Sequence, residues 1–411
     1  MTRSTRTIPP SLTSALAQPS RRQLLLGAAS LGAASLLAAC GGGGSSSDDG
    51  STAAADSFTT GPISGFGSVI VGGVRFDDTL AIIIDEDGNR ATRGDLKLGV
   101  VIDIDGARIN RAEMRAVALR IALGGALLGP VSTVNTTAST LTLLGQTVLV
   151  TSSTVFDAAI TGGLTGITAG GVYQVHGLYD PANVRFVATR IEPKTGATEY
   201  RLRGVLSDLN TTAKTFKIGS ELVNYAGVPS ADVPNTLANG QFVRLLLQTT
   251  QVNGAWVAIR LRHTVRTLQP CPEAHVEGVI TAFTSPQAFE INGLKVDAAG
   301  ATFPDGTAGI VLGARVEVEG AVVGGVLVAT KVEIEDRREA GRRVLEFHGE
   351  MSNLNTAAKT FALRGLTIWY GGTVEYRNGT EATLANGKGV AVRGVISADR
   401  TRIEARRIEF S

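Results

Sequence analysis

One segment of this chain recurs at a fixed interval, and this repeat limits the possible folds more than any other feature. Its three clear copies are residues 135–141 (NTTASTL), 210–216 (NTTAKTF) and 355–361 (NTAAKTF). The first two copies begin 75 residues apart and the last two begin 145 apart, which is about two repeat lengths. A degenerate copy at residues 285–289 (SPQAF) lies in the gap. A period this long indicates an array of small structural units.

The strand pattern of the repeats predicts an all-β fold. Apolar and polar residues alternate along most segments, and Asn253-Gly254 separates two such runs, which is a strong signal for a hairpin turn. Residues 111–121 are the nearest helical candidate, but matching them to the other units makes residues 117–123 a strand. Small units bury little surface each, so closed barrels, which remove exposed strand edges, are expected. We divide the chain into units at 58–124, 125–196, 197–270, 271–338 and 343–411.

The first 39 residues have the features of a signal peptide. Arg21 and Arg22 precede an apolar run at residues 24–39 that contains no charged residue. Sixteen residues are too few to span a bilayer core of about 30 Å comfortably. The arginine pair indicates a twin-arginine export signal, with an ordinary secretory signal as the alternative.

The apolar run ends in Leu37, Ala38, Ala39 and Cys40, which resembles the lipobox of bacterial lipoproteins. The resemblance implies that Cys40 becomes the mature N-terminus and carries acyl chains, such as palmitate, that anchor the protein in membrane lipid. Gly41 follows Cys40, which by analogy favours the outer membrane of the cell envelope. Residues 40–57 are rich in glycine and serine and are expected to form a flexible tether.

Removal of the signal peptide changes the charge balance. Lys plus Arg falls from 39 to 35 against 37 acidic residues, so the mature chain carries about −2. Polyanion binding needs a clustered cationic surface, so we expect no nucleic-acid partner. Cys271 is the only other cysteine. It could form an intermolecular disulfide, but we interpret it as an incidental residue in a linker between repeats.

The residues that recur between units also resemble a known family. The fourth unit contains residues 278–281 (GVIT), 316–320 (VEVEG) and 329–333 (ATKVE), and the first unit opens with a variant at residues 61–71 (GPISGFGSVIV). This pattern looks like the repeated domain of bacterial lipoproteins known as domain of unknown function 5666. The resemblance implies a small β-barrel of the oligonucleotide/oligosaccharide-binding (OB) type in each repeat. It is weakest in the first unit, where residues 103–106 (DIDG) depart from the pattern.

Three motifs that resemble functional sites have simpler structural interpretations. The glycine pattern at residues 65–70 (GFGSVI) lacks a third glycine and a following helix, so it predicts a tight turn. Residues 85–89 (DEDGN) lack the later ligands of a calcium loop and predict a hairpin turn. The four histidines have no metal-ligand spacing. They are His176, His263, His275 and His348. We therefore predict no catalytic residues, no metal and no cofactor.

The aromatic residues divide into core candidates and surface candidates. Phe216, Phe289 and Phe361 occupy equivalent repeat positions and are expected in the cores, although stacking platforms for a single strand are the alternative. Trp256 and the Trp369–Tyr370 pair are candidates for carbohydrate contact. The sequence thus favours a lipid-anchored, non-catalytic binding or structural module with an envelope protein or glycan as partner; a glycan-binding lipoprotein is the alternative, and an enzyme a distant one.

Overall fold

A computed structural model describes residues 55–125, 127–263, 268–335 and 344–411, with the side chain of His263 excepted. Residues 1–54, which include the proposed signal and Cys40, lie outside this part of the chain. The described residues form β-strands and short 3-10 turns, and they contain no α-helix. The 3-10 turns are Arg93–Asp95, Gly163–Gly166, Ser230–Asp232 and Glu381–Thr383.

The described residues of the first three repeats form eighteen strands. The strands of repeat 1 are β1 (Ser57–Pro62), β2 (Gly65–Phe66), β3 (Val69–Val71), β4 (Val74–Asp77), β5 (Ile82–Asp85), β6 (Val101–Gly106) and β7 (Arg115–Gly124). Those of repeat 2 are β8 (Leu127–Asn135), β9 (Thr140–Leu143), β10 (Gln146–Leu149), β11 (Val155–Phe156), β12 (Val172–Asp180) and β13 (Arg185–Pro193). Those of repeat 3 are β14 (Tyr200–Asn210), β15 (Thr215–Ile218), β16 (Glu221–Asn224), β17 (Phe242–Val252) and β18 (Ala255–His263).

In the last two repeats, the part of the chain that the structure describes forms eleven strands. The strands of repeat 4 are β19 (Cys271–Ser285), β20 (Ala288–Ile291), β21 (Leu294–Asp297), β22 (Arg315–Val323) and β23 (Val326–Ile334). Those of repeat 5 are β24 (Leu345–Asn355), β25 (Thr360–Leu363), β26 (Leu366–Trp369), β27 (Glu375–Arg377), β28 (Gly389–Ile396) and β29 (Ile403–Phe410). Strand β7 confirms the strand expected at residues 117–123, whereas residues 111–114 of the helical candidate form a turn.

Each repeat closes into a small barrel with one strand order. In repeat 3, β14 pairs with β15, β15 with β16, β16 in parallel with β18, β18 with β17, and β17 with β14. The corresponding strands of the other repeats pair in the same way, with β1 and β2 together acting as the first strand of repeat 1. This order, in which the third strand pairs with the fifth and the fourth closes on the first, is that of an OB barrel. The expected fold is confirmed, even in the divergent first repeat.

The local turns follow from the residues at their tips. Asn253 and Gly254 have φ angles of 52° and 76°, as a type I′ turn requires, and they connect β17 to β18. Gly67, between β2 and β3, has a φ of 130°, a region that side chains rarely adopt. A Cβ at Gly67 would also lie 2.3 Å from the Cβ of His348. The glycine pattern at residues 65–70 is therefore a tight turn pressed against repeat 5.

The barrels do not pack as a simple linear array. Strand β1 pairs in parallel with β19 of repeat 4, and β2 pairs in parallel with β24 of repeat 5. Repeats 1, 4 and 5 thereby share one 18-stranded sheet, while repeats 2 and 3 share an 11-stranded sheet. Repeats 2 and 3 also share one hydrophobic core, and repeats 1 and 5 share another. Repeat 1 therefore contacts repeats that are distant from it in sequence.

Candidate functional site: a cleft between repeats 1 to 4

A cleft of about 1210 Å³ lies where repeats 1, 2, 3 and 4 meet. Its walls are formed by β5 to β7, by the β12–β13 hairpin, by the outer face of repeat 3 and by the turns of repeat 4. The space is large enough for a small ligand, since ligand sites usually have volumes of about 300–1,000 Å³. It is lined by aromatic, cationic and acidic side chains, so its chemistry depends on which of these remain available.

An aromatic corner occupies one wall of the cleft. Tyr179 of repeat 2 lies between Phe186 of the same repeat and Phe242 of repeat 3, with ring centroids 5.2 and 4.8 Å apart respectively. Tyr179 and Phe242 are half-buried, whereas Phe186 belongs to the core. Burial, together with the charge of Asp180, raises the pKa of the Tyr179 hydroxyl. The corner thus presents two flat, neutral rings at the junction of two repeats.

The acidic segment of repeat 1 forms a hairpin tip beside this corner. The Asp85 carboxylate accepts hydrogen bonds from the backbone N–H groups of Asp87 and Asn89, at 2.9 and 2.8 Å. Gly88 has a φ of 87°, which favours glycine at this turn. The predicted hairpin turn is confirmed. We call Asp85, Glu86 and Asp87 the acidic tip.

The acidic tip lies on an arginine-rich face of repeat 3. Arg203 forms an ion pair with Glu86. Arg244 donates to Asp87 Oδ1 at 2.7 Å and to the Glu86 carbonyl oxygen at 3.2 Å, and Arg260 donates to Asp87 Oδ1 at 3.1 Å. The side chains of Glu86 and Asp87 are only 7% and 3% exposed. These buried ion pairs fix repeat 1 against repeat 3 at the edge of the cleft.

A second cavity of about 240 Å³ lies between repeats 1 and 2 around Glu192. Lys97 of repeat 1 donates to Glu192 Oε2 at 2.8 Å, and Arg190 Nε lies 3.3 Å from the same oxygen. His176 is buried, with Nδ1 2.9 Å from the Gly124 carbonyl oxygen and Nε2 4.0 Å from Glu192. Burial alone raises the pKa of Glu192, but His176, Lys97 and Arg190 outweigh it and lower that pKa. This arrangement is a charge-compensated contact between repeats.

The described histidines lie in separate places and do not converge. His275 is buried in β19, where burial lowers its pKa. His348 lies 2.6 Å from Glu346, a carboxylate that also bonds Arg393 and Arg75. Within the described ranges, no group of three or more His, Cys, Asp or Glu side chains could hold a metal ion.

The predicted core aromatics are confirmed, but two surface candidates are not. Phe216, Phe289 and Phe361 are buried, at 0%, 4% and 1% exposure, so the stacking-platform alternative is wrong for all three. Trp256 is also buried, and its Nε1 donates to Glu221 at 2.7 Å.

Repeat 5 contains the other surface candidates, the Trp369–Tyr370 pair, and the result there is similar. Tyr370 belongs to its core, and Trp369 is half-buried beneath Arg402, whose guanidinium lies 4.5 Å from the ring centroid. Burial of Trp256 and Tyr370 rules out the carbohydrate contacts considered for them. A period-two pattern places a residue on one face of a strand but does not show whether another element covers that face.

Cys271 is part of a strand rather than a linker. It is the first residue of β19, is 7% exposed, and donates its thiol to the Glu273 carbonyl oxygen at 3.3 Å. Burial raises the pKa of the thiol. The interpretation of Cys271 as a linker residue is therefore wrong. Cys40, Arg21, Arg22, Leu37, Ala38 and Ala39 lie outside the described residues, and the lipidation and export predictions stay predictions. No described helix is long and apolar enough to cross a membrane.

Sequence reasoning missed the cleft and its arginine face, although one signal was present. The last strand of repeats 2, 4 and 5 has a glutamate as its penultimate residue, at Glu192, Glu333 and Glu409. Repeat 3 has Arg262 at the corresponding position. The correspondence follows from the pairing of Val223 with Trp256 between β16 and β18, which the matching strands of the other repeats reproduce. The charge reversal marks repeat 3 as different from its neighbours.

Comparison with known proteins supports the family resemblance and adds no activity. No curated protein matches the chain. A solved structure titled "drosophila Unr CSD456" aligns at 12% identity over 52% of this chain and 98% of its own length, with a TM-score of 0.13, which is too weak to carry an argument. The protein-family model described as "Domain of unknown function (DUF5666)" matches residues 129–192, 277–333 and 348–409, which lie in repeats 2, 4 and 5. These three matches identify the chain as a protein with repeated DUF5666 domains.

Proposed function

We propose that this chain is a lipid-anchored, non-catalytic binding protein of the bacterial cell envelope, and that its ligand occupies the cleft between repeats 1 to 4. The anchor follows from Cys40 at the end of its lipobox-like motif and from the tether behind it. The observation that carries the binding role is the cleft itself. Four repeats contribute to it, and their mutual position is fixed by paired strands and buried ion pairs. A rigid, preformed cavity lowers the entropic cost of ligand binding.

A saccharide is the ligand class that the cleft wall favours. Tyr179 and Phe242 present flat rings at the junction of repeats 2 and 3. Gln241 and Asn292, whose amides also bond the backbone of the chain, line the same space. Aromatic faces bury the apolar C–H surface of a sugar ring, while amides hydrogen-bond its hydroxyl groups. The glycan alternative therefore rests on this corner and no longer on Trp256 or Tyr370.

The test is direct binding of the full chain, purified in detergent micelles, to an array of envelope saccharides. We expect at least one saccharide to bind, with Phe242→Ala weakening the affinity by about tenfold through loss of a buried aromatic contact. Trp369→Ala is the matched control, since repeat 5 contributes no lining residue to the cleft among the described residues. Equal loss in both variants, or binding untouched by Phe242→Ala, would argue against the cleft as the site.

A further inference from the structure

The strand register of repeat 3 places three arginines side by side. Arg203 of β14 lies directly opposite Arg244 of β17, and Arg244 lies directly opposite Arg262 of β18. Residues directly opposite in an antiparallel pair have Cβ atoms about 5 Å apart, and like charges there are destabilising. We call this row of three residues the arginine row. Such a row needs anions nearby to offset the repulsion.

The barrel itself does not require arginines in this row. The middle residue lies two positions before a β-bulge in every repeat, so the rows can be compared directly. The corresponding rows are Leu128–Gln174–Glu192 in repeat 2, Glu277–Glu317–Glu333 in repeat 4 and His348–Ala391–Glu409 in repeat 5. Since the same fold accepts neutral and acidic residues, the arginine row is specific to the surroundings of repeat 3.

The acidic tip neutralises only part of the arginine row. Glu86 and Asp87 pair with Arg203 and Arg244 and also with Arg260. Burial lowers the pKa of Arg244, and the like charges of Arg201 and Arg260 lower it further, although Asp87 acts in the opposite direction. Arg262 is exposed, and it makes no ion pair with any residue that the structure describes. One end of the row therefore keeps a positive charge that no ion pair within the described part of the chain offsets.

That uncompensated end opens into the cleft. Arg262 lines the cavity together with Lys295 of β21, which belongs to repeat 4. Lys295 is exposed, and Glu290 lies directly opposite it on β20, so Lys295 contributes less net charge than Arg262. Phe242 lies two residues before Arg244 on the same face of β17 and lines the same cavity. A flat aromatic ring thus lines the same cavity as the Arg262 guanidinium group.

We propose that Arg262, assisted by Lys295, binds a carboxylate or phosphate group of the saccharide that enters the cleft, so that the ligand is an anionic saccharide. This inference rests on the proposed function. The guanidinium group can donate two parallel hydrogen bonds to either anion, which gives orientation as well as affinity. The aromatic corner holds the sugar ring while the arginine selects its charged substituent.

The experiment measures binding of three oligosaccharides of equal length to the full chain in detergent micelles by calorimetry. They are a neutral glucose oligomer, a glucuronic acid oligomer and a phosphorylated glucose oligomer. We expect one acidic oligomer to bind more tightly than the neutral one, and this preference to fall as salt rises. Arg262→Gln should weaken acidic binding by about tenfold and should weaken neutral binding by a much smaller factor. Arg406→Gln, at an exposed arginine of repeat 5, is the control and should change neither.

The outcomes separate this inference from the proposed function. If neutral and acidic oligomers bind equally and Arg262→Gln has no effect, the anion site is wrong while the saccharide cleft stands. If no saccharide binds, but inorganic phosphate binds to the wild type and not to Arg262→Gln, the anion site stands and the saccharide proposal fails. Tighter, Arg262-dependent binding of a single-stranded oligonucleotide would overturn the ligand class. Because Arg262 is exposed, the variant should fold normally, and an unchanged melting temperature checks this.

Discussion

Thr59 of β1 lies beside His275 of β19 in a parallel register, and both residues are buried. This contact joins the first strands of repeats 1 and 4, which are far apart in the chain. An unpaired strand edge is a template for aggregation, and each barrel leaves such an edge along the first half of its first strand. Pairing these edges with one another covers them and fixes which repeats become neighbours.

Loss of the acidic tip should destabilise the contact between repeats 1 and 3. Asp87→Asn leaves Arg244 and Arg260 without their shared carboxylate, and removing one partner of a buried pair costs roughly 3 kcal/mol of unfolding free energy. Asp208→Asn breaks the exposed pair with Lys217 and should cost less than about 1 kcal/mol. Denaturant melts of the two variants measure the difference. Equal small losses would mean that the buried pairs add little.

Truncation of a repeat-core phenylalanine should destabilise the protein strongly. Phe216→Ala and Phe361→Ala each remove a fully buried ring, so we expect a loss of about 3–5 kcal/mol of unfolding free energy. Phe283 is 38% exposed, and Phe283→Ala should cost about 1 kcal/mol or less. Urea denaturation followed by circular dichroism gives both values. A loss below about 1 kcal/mol at Phe216 would contradict its role as a core residue.

The Glu346 cluster should make stability depend on pH in the acidic range. Burial raises the pKa of Glu346, but His348, Arg393 and Arg75 outweigh it and lower the pKa to about 2. A carboxylate with a depressed pKa stabilises the fold above its unfolded pKa of about 4.3, and this contribution is lost as pH falls towards the folded value.

The melting temperature of the wild type should therefore drop between about pH 5 and about pH 2, and part of this drop should be absent in Glu346→Gln. Glu350→Gln changes an exposed carboxylate on the same strand and serves as the control. If Glu346→Gln and the wild type lose stability in parallel as the pH falls, the cluster does not supply the expected contribution.

Cys271 should react slowly with thiol reagents while the protein is folded. The thiol is buried, and burial raises its pKa, so little thiolate is available at neutral pH. Labelling by iodoacetamide should proceed only as fast as the protein unfolds, and it should become rapid in denaturant. Stoichiometric labelling within seconds under native conditions would show that the residue is accessible and could form an intermolecular disulfide.

Substitution of Cys40 should remove the membrane anchor. Cys40→Ser deletes the sulfur that would carry the diacylglycerol, so the protein should remain unprocessed or be released as a soluble form. Intact-mass spectrometry of the mature wild type should show an acylated cysteine at its N-terminus. An unmodified N-terminus in the wild type would contradict the lipoprotein prediction. Arg21→Lys with Arg22→Lys should in turn block export if the signal is of the twin-arginine type.

The barrel strands and cores could be predicted from the sequence because they depend on local order. Period-two alternation, the Asn253-Gly254 turn and the equivalent positions of Phe216 and Phe361 are all visible without coordinates. The burial of Trp256 could not be predicted in this way. Alternation along β18 does not show which face of the strand packs against the core, and Trp256 lies on that face. A repeat pattern identifies equivalent positions but does not show how deeply each side chain is buried.

The sequence alone determined the period, the all-β character and the turns, since each of these depends on residues close together in the chain. Only the tertiary structure decided that the acidic tip would lie on the arginine row and that Arg262 would open into a cleft. Those contacts join Glu86 to Arg203 and Asp87 to Arg244, between repeats that are not consecutive. Opposite charges on separate repeats attract in any arrangement that brings them close, so charge alone does not select their partners. The partners are fixed by the way in which the open strand edges of the repeats pair.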